Sequence, residues 1–296
     1  MENYRTGRRA VLADALSLAL AAAVHHQSAA EALADRVRNN ATITVGIYNV
    51  APWGYKNEDG SISGIHPDLL RAVLGSLGIS NIEFAIVEFP ALIPSLVSRR
   101  IDIVATGMAI TPVRCQQVIF TEPDLAIGDA LVVLPGNPKN LHSYTDIANN
   151  PDLRIGGARG TTNVENAFKA GIPRERILQF DGGKSIIAAL FAGRIDAIAW
   201  SVPTAINALK DPAVQGKVER ALPFKGVVEN GRESAFYTAM VFRPEDKELR
   251  DRYNESFATL KSTGTIKQIM AKYDFTDTEL VPAGLTAKDL CGDNYR

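Results

Sequence analysis

Residues 89–123, FPALIPSLVSRRIDIVATGMAITPVRCQQVIFTEP, carry the reading of the fold. The stretch opens with apolar residues at helical spacing, Leu92, Ile93, Leu96 and Val97. A β-type run at 101–105 follows and ends in Thr106-Gly107-Met108-Ala109. Thr111-Pro112-Val113-Arg114 then has the chemistry of a helix start: a hydroxyl to cap, proline at the first helical position and an arginine in the first turn. The order is helix, strand, glycine turn, helix N-terminus. A turn at the carboxyl end of a strand leaves backbone N–H groups unpaired, and Arg114 sets a planar five-donor guanidinium beside them. Such a place suits a carboxylate. Taken alone, the same arginine also reads as one on a solvated helix face.

Outward from this stretch, strand and helix signals alternate. Residues 43–48 read as a strand, Pro67 and Asp68 open a helix that closes at Gly78, and 82–87 form a second strand. The apolar run 130–134 ends in Pro135-Gly136-Asn137-Pro138-Lys139-Asn140, where the first crossing between two lobes is expected. Beyond it come strands at 153–157, 176–180 and 196–200 and helices from Thr162 and Ser185, with Glu165 expected to complete a capping box on Thr162. Residues 236–242 read as a strand returning to the first lobe, followed by helices through Leu260 and over 266–273; the tail shows little periodicity. Alternation of this kind argues an α/β architecture. Residues 93–102 resemble residues 187–196, both ending Arg-Ile-Asp before an apolar strand, as two topologically similar lobes would. Chance is the competing account of that likeness. The expected division is 41–133 with 238–296 as lobe 1 and 136–236 as lobe 2.

A formal net charge of −1 over 296 residues leaves no electrostatic footprint for nucleic acid or for an anionic membrane. Residues 1–34 read as an export leader: Arg5, Arg8 and Arg9, an Ala/Leu/Val run over 10–24, then small residues, with cleavage after Ala30, Ala32 or Ala34. An amphipathic N-terminal helix is the other reading, since Asp14 interrupts the run. The two cysteines, Cys115 and Cys291, are a disulfide candidate in an exported protein and have no metal-site spacing. Four histidines with no pair at ligand spacing argue against a metal site.

The opening stretch resembles the signature of the type 2 periplasmic solute-binding proteins of ABC importers, in their polar amino acid group. LIPSLVSRR, IDIVATGMAIT, PVRC and IFTEP stand in the family's order, and Gly46-Ile47-Tyr48, Ala51-Pro52-Trp53-Gly54-Tyr55, Asp59-Gly60 and Gly64 match its opening. The likeness runs from about residue 41 onward. It implies a two-lobed type II fold, each lobe a mainly parallel sheet flanked by helices, with the ligand in the cleft between them. It also implies a periplasmic location, a small-molecule carboxylated ligand, the transmembrane subunits of an ABC permease as partners, a monomer, and no cofactor or catalytic residue.

The same likeness names the candidate site. Trp53 and Phe89 would sandwich the ligand, with Gly107, Met108 and Ala109 giving backbone groups and Arg114 anchoring a carboxylate. In the second lobe Gly160, Thr161 and Thr162 would form the matching anion site, with Trp200 and Ser201 facing the same cleft. Relatives that bind α-amino acids hold the ammonium with acids at the positions of Val50 and Ser201, neither charged here. Within the family, ectoine and hydroxyectoine binders share Arg114-Cys115, the run from Gly136 to Tyr144, Ala170 to Pro173 and Leu290-Cys291. That group has an aromatic where Ala109 stands and an acid where Val50 stands, so the cage is expected to be one wall short and roomy enough for a lactam-type opine. An enzyme on the same fold, a periplasmic dehydratase, would need an acid–base pair; Glu88 and Glu122 are the acids the sequence sets near the cleft. A receptor's sensing module would need a transmembrane or signalling segment, which the sequence does not show.

Overall fold

The computed structural model describes residues 33–229 and 232–296. Two five-stranded sheets form the chain's frame. The first holds β1 (Ile43–Ile47), β2 (Ile82–Ile86), β3 (Ile103–Val104), β4 (Ile119–Phe120) and, from far along the chain, the strand Val241–Phe242, in the order β2-β1-β3-(241–242)-β4. A short crossing strand, β5 (Leu125–Ile127), leads to the second sheet. That sheet holds β6 (Asp129–Val133), β7 (Ile155–Ala158), β8 (Ile177–Phe180), β9 (Ala197–Ser201) and β10 (Glu219–Arg220), in the order β8-β7-β9-β6-β10. The chain returns through β11 (Phe236–Thr238), antiparallel to β5, into β12 (Val241–Phe242). In each sheet the strand entered directly from a crossing, β12 or β6, runs antiparallel to its neighbours. Each sheet is covered on both faces, and each face has its own cluster of buried apolar side chains. That is why strands such as β1, β6 and β9 read as nearly continuous apolar runs.

The likeness between 93–102 and 187–196 has a structural counterpart. Asp102 N donates to Thr44 O and Asp196 N to Arg154 O, at 2.7 and 2.8 Å. Each aspartate returns a carboxylate oxygen to the same partner's N–H, at 3.1 and 2.9 Å. The tips of the preceding Ile101 and Ile195 pack onto Gly46 and Gly156, 2.4 and 2.5 Å from where a Cβ would stand, so a side chain at either glycine would displace the isoleucine. The same joint is therefore built twice from the same residue types.

Three expectations change. The first crossing falls at Gly128, between β5 and β6, because β6 pairs with β9 and β10 and not with the first sheet. The turn-rich stretch 135–140 is instead a loop within the second lobe. An apolar run followed by a turn looks the same in sequence whichever sheet it joins. The expected strand at 236–242 is two, β11 on the crossing and β12 in the first sheet. Leu33 and Ala34, read with the leader, are buried in the first lobe's core, and Leu33 N donates to the buried Asp246 at 3.0 Å. The leader itself lies outside the described residues. Among those residues no helix is long and apolar enough to cross a membrane.

Helices α1 (Leu33–Arg38), α2 (Ile65–Ser76), α3 (Leu92–Val97) and α4 (Pro112–Cys115) belong to the first lobe. The second has α5 (Tyr144–Ala148), α6 (Thr162–Lys169), α7 (Gly183–Phe191) and α8 (Val202–Ala208). After the return come α9 (Lys247–Ser262), α10 (Thr265–Lys272) and a short tail helix α11 (Ala287–Cys291). Thr286 and Asp289 form a capping box on α11, a start signal that the aperiodic tail hid. Cys291 is joined to Cys115 across 176 residues of sequence, which fastens the tail to α4.

Candidate ligand-binding site

A narrow cleft of about 60 Å³ lies between the carboxyl ends of the two sheets' parallel strands. Its first-lobe wall is aromatic. Tyr48 follows β1, Trp53 sits in the turn after it, and Phe89 opens the turn before α3. The rings of Tyr48 and Phe89 meet edge to face with centroids 5.8 Å apart. Gly107, at φ +69°, lies flush on the Trp53 indole: a Cβ there would stand 2.6 Å from the ring. No other residue type fits that turn without moving the tryptophan.

The second-lobe wall is made of strand ends and helix starts. Ala158 ends β7, and Thr161 stands at the cap position of α6 with its hydroxyl turned back to the Ala158 carbonyl at 2.8 Å. The expected Thr162–Glu165 capping box is therefore absent, since Thr162 is already the first helical residue. Ser201 ends β9 and caps α8; its Oγ lies 2.7 Å from the Thr204 hydroxyl. Trp200 and Ile186 add apolar surface. Beneath this wall Asp129 accepts hydrogen bonds from Asn163, Asn166 and Tyr144 at 2.5, 2.8 and 2.8 Å. Burial, with the Asp129 charge beside it, drives the Tyr144 phenol well above its ordinary range.

The walls touch directly. Trp53 Nε1 donates to Thr204 Oγ1 at 2.9 Å, and Tyr48 OH donates to the Asp181 carbonyl at 2.7 Å. Arg114 donates from one amine to Ala109 O at 2.7 Å and from the other to Gly160 O at 2.9 Å, with its guanidinium 5.5 Å from the Phe89 ring centroid. Burial pushes Arg114 down to about 10, with Glu165 opposing, so the group remains a cation at neutral pH. Burial also pushes Tyr48 up to about 12, with Glu88 and Asp181 adding to the rise.

Of the residues named from sequence, Trp53, Phe89, Gly107, Thr161, Thr162, Trp200 and Ser201 line the cleft. Met108, Ala109, Arg114 and Gly160 do not. Met108 is buried in a first-lobe core cluster, because its side chain points away from the cleft where Gly107 faces it. Ala109 is 1% exposed and offers its carbonyl to Arg114, so the room expected beside it is not open to the cleft. Arg114 and Gly160 meet across the lobes at the cleft's edge. The sequence reading missed Tyr48, Thr106, Asn163, Thr204 and Phe236 as lining residues. Tyr48 had a signal, its place just past a strand's carboxyl end; Phe236 had none, since its contact follows from how β11 crosses. Glu88 and Glu122 do not line the cleft, and Glu122 accepts from Ala287 N at 2.9 Å in the tail. Among the described residues, none lining the cleft is Asp, Glu, Lys, Arg or His.

Two α/β lobes, joined by a pair of crossing strands and closing on a small cleft, define a solute-binding protein of the periplasmic kind. The model of the bacterial extracellular solute-binding proteins, family 3, matches residues 43–277, and the chain belongs to that family. It is 34% identical, over 97% of its length and 94% of the relative's, to a probable amino-acid ABC transporter periplasmic-binding protein of Sinorhizobium fredii. It is 31% identical to the histidine-binding periplasmic protein of Salmonella typhimurium, over 88% of this chain and 95% of that one. Among solved structures, EhuB in complex with hydroxyectoine superposes with a TM-score of 0.78 at 32% identity, covering 88% of this chain and 97% of that one. An ancestral amino acid-binding protein, a precursor of cyclohexadienyl dehydratase, superposes with a TM-score of 0.70 at 26% identity, covering 82% and 99%. This chain is thus a bacterial extracellular solute-binding protein, similar over nearly its whole length to a periplasmic-binding protein named for an amino-acid ABC transporter.

Proposed function

We propose that the chain captures a small carboxylated compound whose nitrogen is cyclic, acylated or charge-delocalised, with ectoine-like compounds first and lactam-type opines second. The observation that carries this reading is the absence of any acidic side chain among the described residues lining the cleft. A primary ammonium enclosed there would lie against aromatic faces and hydroxyls with no carboxylate to neutralise it, a strongly unfavourable burial. Val50 and Ser201, where the family resemblance implies acids in binders of α-amino acids, both line the cleft, and the Ser201 hydroxyl is engaged with Thr204.

The ligand's carboxylate is read as meeting the first N–H groups of α6, with Arg114 at the cleft's edge turning from the Gly160 carbonyl to reach it. Its apolar ring is read as lying among Tyr48, Trp53, Phe89, Trp200 and Phe236. Phe236 adds an aromatic to the lining and the room beside Ala109 is closed, which favours a compact ring over a larger opine. The similarity to EhuB supports the same order of preference. Capture without turnover is the reading, with the protein exported by its leader and acting as a monomer. No acid–base pair among the described lining residues favours the dehydratase alternative.

Calorimetry of the purified protein against ectoine, hydroxyectoine, a pyrrolidone-type opine, glutamine, arginine and histidine tests this. Submicromolar binding of a cyclic compound, recovered unchanged, is expected. Submicromolar binding of an ordinary α-amino acid with nothing for the cyclic compounds overturns it.

A further inference from the structure

Behind the Trp53–Gly107 wall lies a buried polar group that ligand capture, as read above, does not use. His66, on α2, is fully buried. Its Nδ1 accepts the hydrogen bond of the Gly107 N–H, and its Nε2 faces the Asp124 carboxylate at 3.3 Å. A backbone N–H can only donate and a carboxylate can only accept. The imidazole is therefore neutral, with its proton on Nε2. Its own backbone N–H donates to Trp53 O at 3.2 Å, and the two rings lie 5.5 Å apart. His66 thus touches both members of the wall.

Its other side reaches the hinge. Asp124 directly precedes β5, and Thr238 ends β11, so the pair stands where both crossing strands join the first lobe. Thr238 Oγ1 donates to Asp124 at 2.5 Å, and Asp124 N donates to Thr238 O at 2.9 Å. We propose that His66 is a positioning residue that ties the Trp53–Gly107 wall of the cleft to the two strands on which the lobes turn. The proposal rests on the reading that this cleft is the ligand site.

Without the Nδ1 acceptor the Gly107 N–H is left unpaired in a site closed to water. The Gly107 turn then shifts, and it cannot shift without releasing the indole face it covers. The Trp53–Thr204 link between the lobes goes with it.

Two measurements on the mature protein decide. In ¹⁵N spectra of the ligand-free protein, His66 is expected as the Nε2–H tautomer at neutral pH; the Nδ1–H tautomer overturns the proposal. In a Trp200→Phe background, His66→Ala is expected to move the emission of Trp53 to longer wavelength, because the indole loses the turn that covers it. His66→Asn places an amide oxygen where Nδ1 accepts but does not reach Asp124, so it is expected to keep the wild-type emission. With hydroxyectoine as probe, His66→Ala is expected to weaken binding at least about tenfold. His66→Asn is expected to fall between Ala and wild type, since the turn is held and the tie to Asp124 is lost. Wild-type emission and affinity in His66→Ala overturn the proposal. If hydroxyectoine binds no form of the protein, the ligand reading fails, and the tautomer and the Trp53 emission still decide the role of His66.

Discussion

The two walls of the cleft do the same job with different materials. The first-lobe wall presents large flat rings, Tyr48, Trp53 and Phe89, with a guanidinium at its edge. The second presents small dipoles at strand ends and helix starts, from Thr161, Thr162, Ser201 and Thr204. Their supports differ accordingly. The first lobe is held by the Cys115–Cys291 bond beside Arg114, while the second stands on Asp129, whose carboxylate gathers Asn163, Asn166 and Tyr144. Ring faces tolerate small displacements, since dispersion and burial vary slowly with position. Hydrogen-bonding dipoles do not, and the wall that relies on them rests on a buried hub.

Removing the first lobe's fastening should have the largest effect. The double variant Cys115→Ser/Cys291→Ser is expected to lose roughly 3–5 kcal/mol of unfolding free energy, the chain-entropy value for so long a loop. Urea unfolding measures it, and hydrogen exchange should show faster opening in the tail and α4 than around Asp129. Uniform loss of protection across both lobes would remove the distinction between the two supports.

Next in size is Arg114→Ala, expected to weaken ligand binding by about 2–5 kcal/mol, much of it from a carboxylate left unpaired. Unfolding should change little by comparison, because the arginine's present partners are two backbone carbonyls at the cleft's edge. Wild-type affinity in the calorimeter would reduce Arg114 to a clasp between the lobes.

Asp129→Asn tests the second wall. The amide keeps the shape but loses the charge and one acceptor, which should cost about 1.5–3 kcal/mol of stability, in the range of hydrogen bonds to charged groups. Affinity should fall as well, since Asn163 lines the cleft. A variant that is destabilised and binds normally would show that the hub serves folding alone.

The smallest effect is expected for Tyr48→Phe, which removes one hydrogen bond to Asp181 O, about 0.5–1.5 kcal/mol. It has a pH signature. The folded phenol sits at about 12 because of burial, then Glu88 and Asp181, against about 10 when unfolded. Being raised, it contributes stability that is whole below about pH 10 and is lost as pH climbs toward 12. Wild-type melting temperature should therefore fall more steeply over that window than that of Tyr48→Phe. Parallel curves would mean that the phenol is solvated in the folded protein.

By itself the sequence determined the α/β alternation, the repeated Arg-Ile-Asp joint and the glycine at 107, because periodicity, caps and backbone steric needs act over a few residues. The family resemblance supplied Thr161, Thr162, Trp200 and Ser201 of the cleft's second wall, and left out Asn163 and Thr204, which lie inside the helices that follow. What the tertiary structure alone decided is where sheets and walls meet. Residues 129–133 go to the second sheet through pairing with β9 and β10, and Phe236 reaches the cleft through the path of β11. Met108 and Ala109 leave the site, and Asp129 becomes a hub for residues 15 to 37 positions away. Such pairings depend on chain closure over long separations, and no local pattern of apolar and polar residues encodes which of two similar sheets will accept a strand.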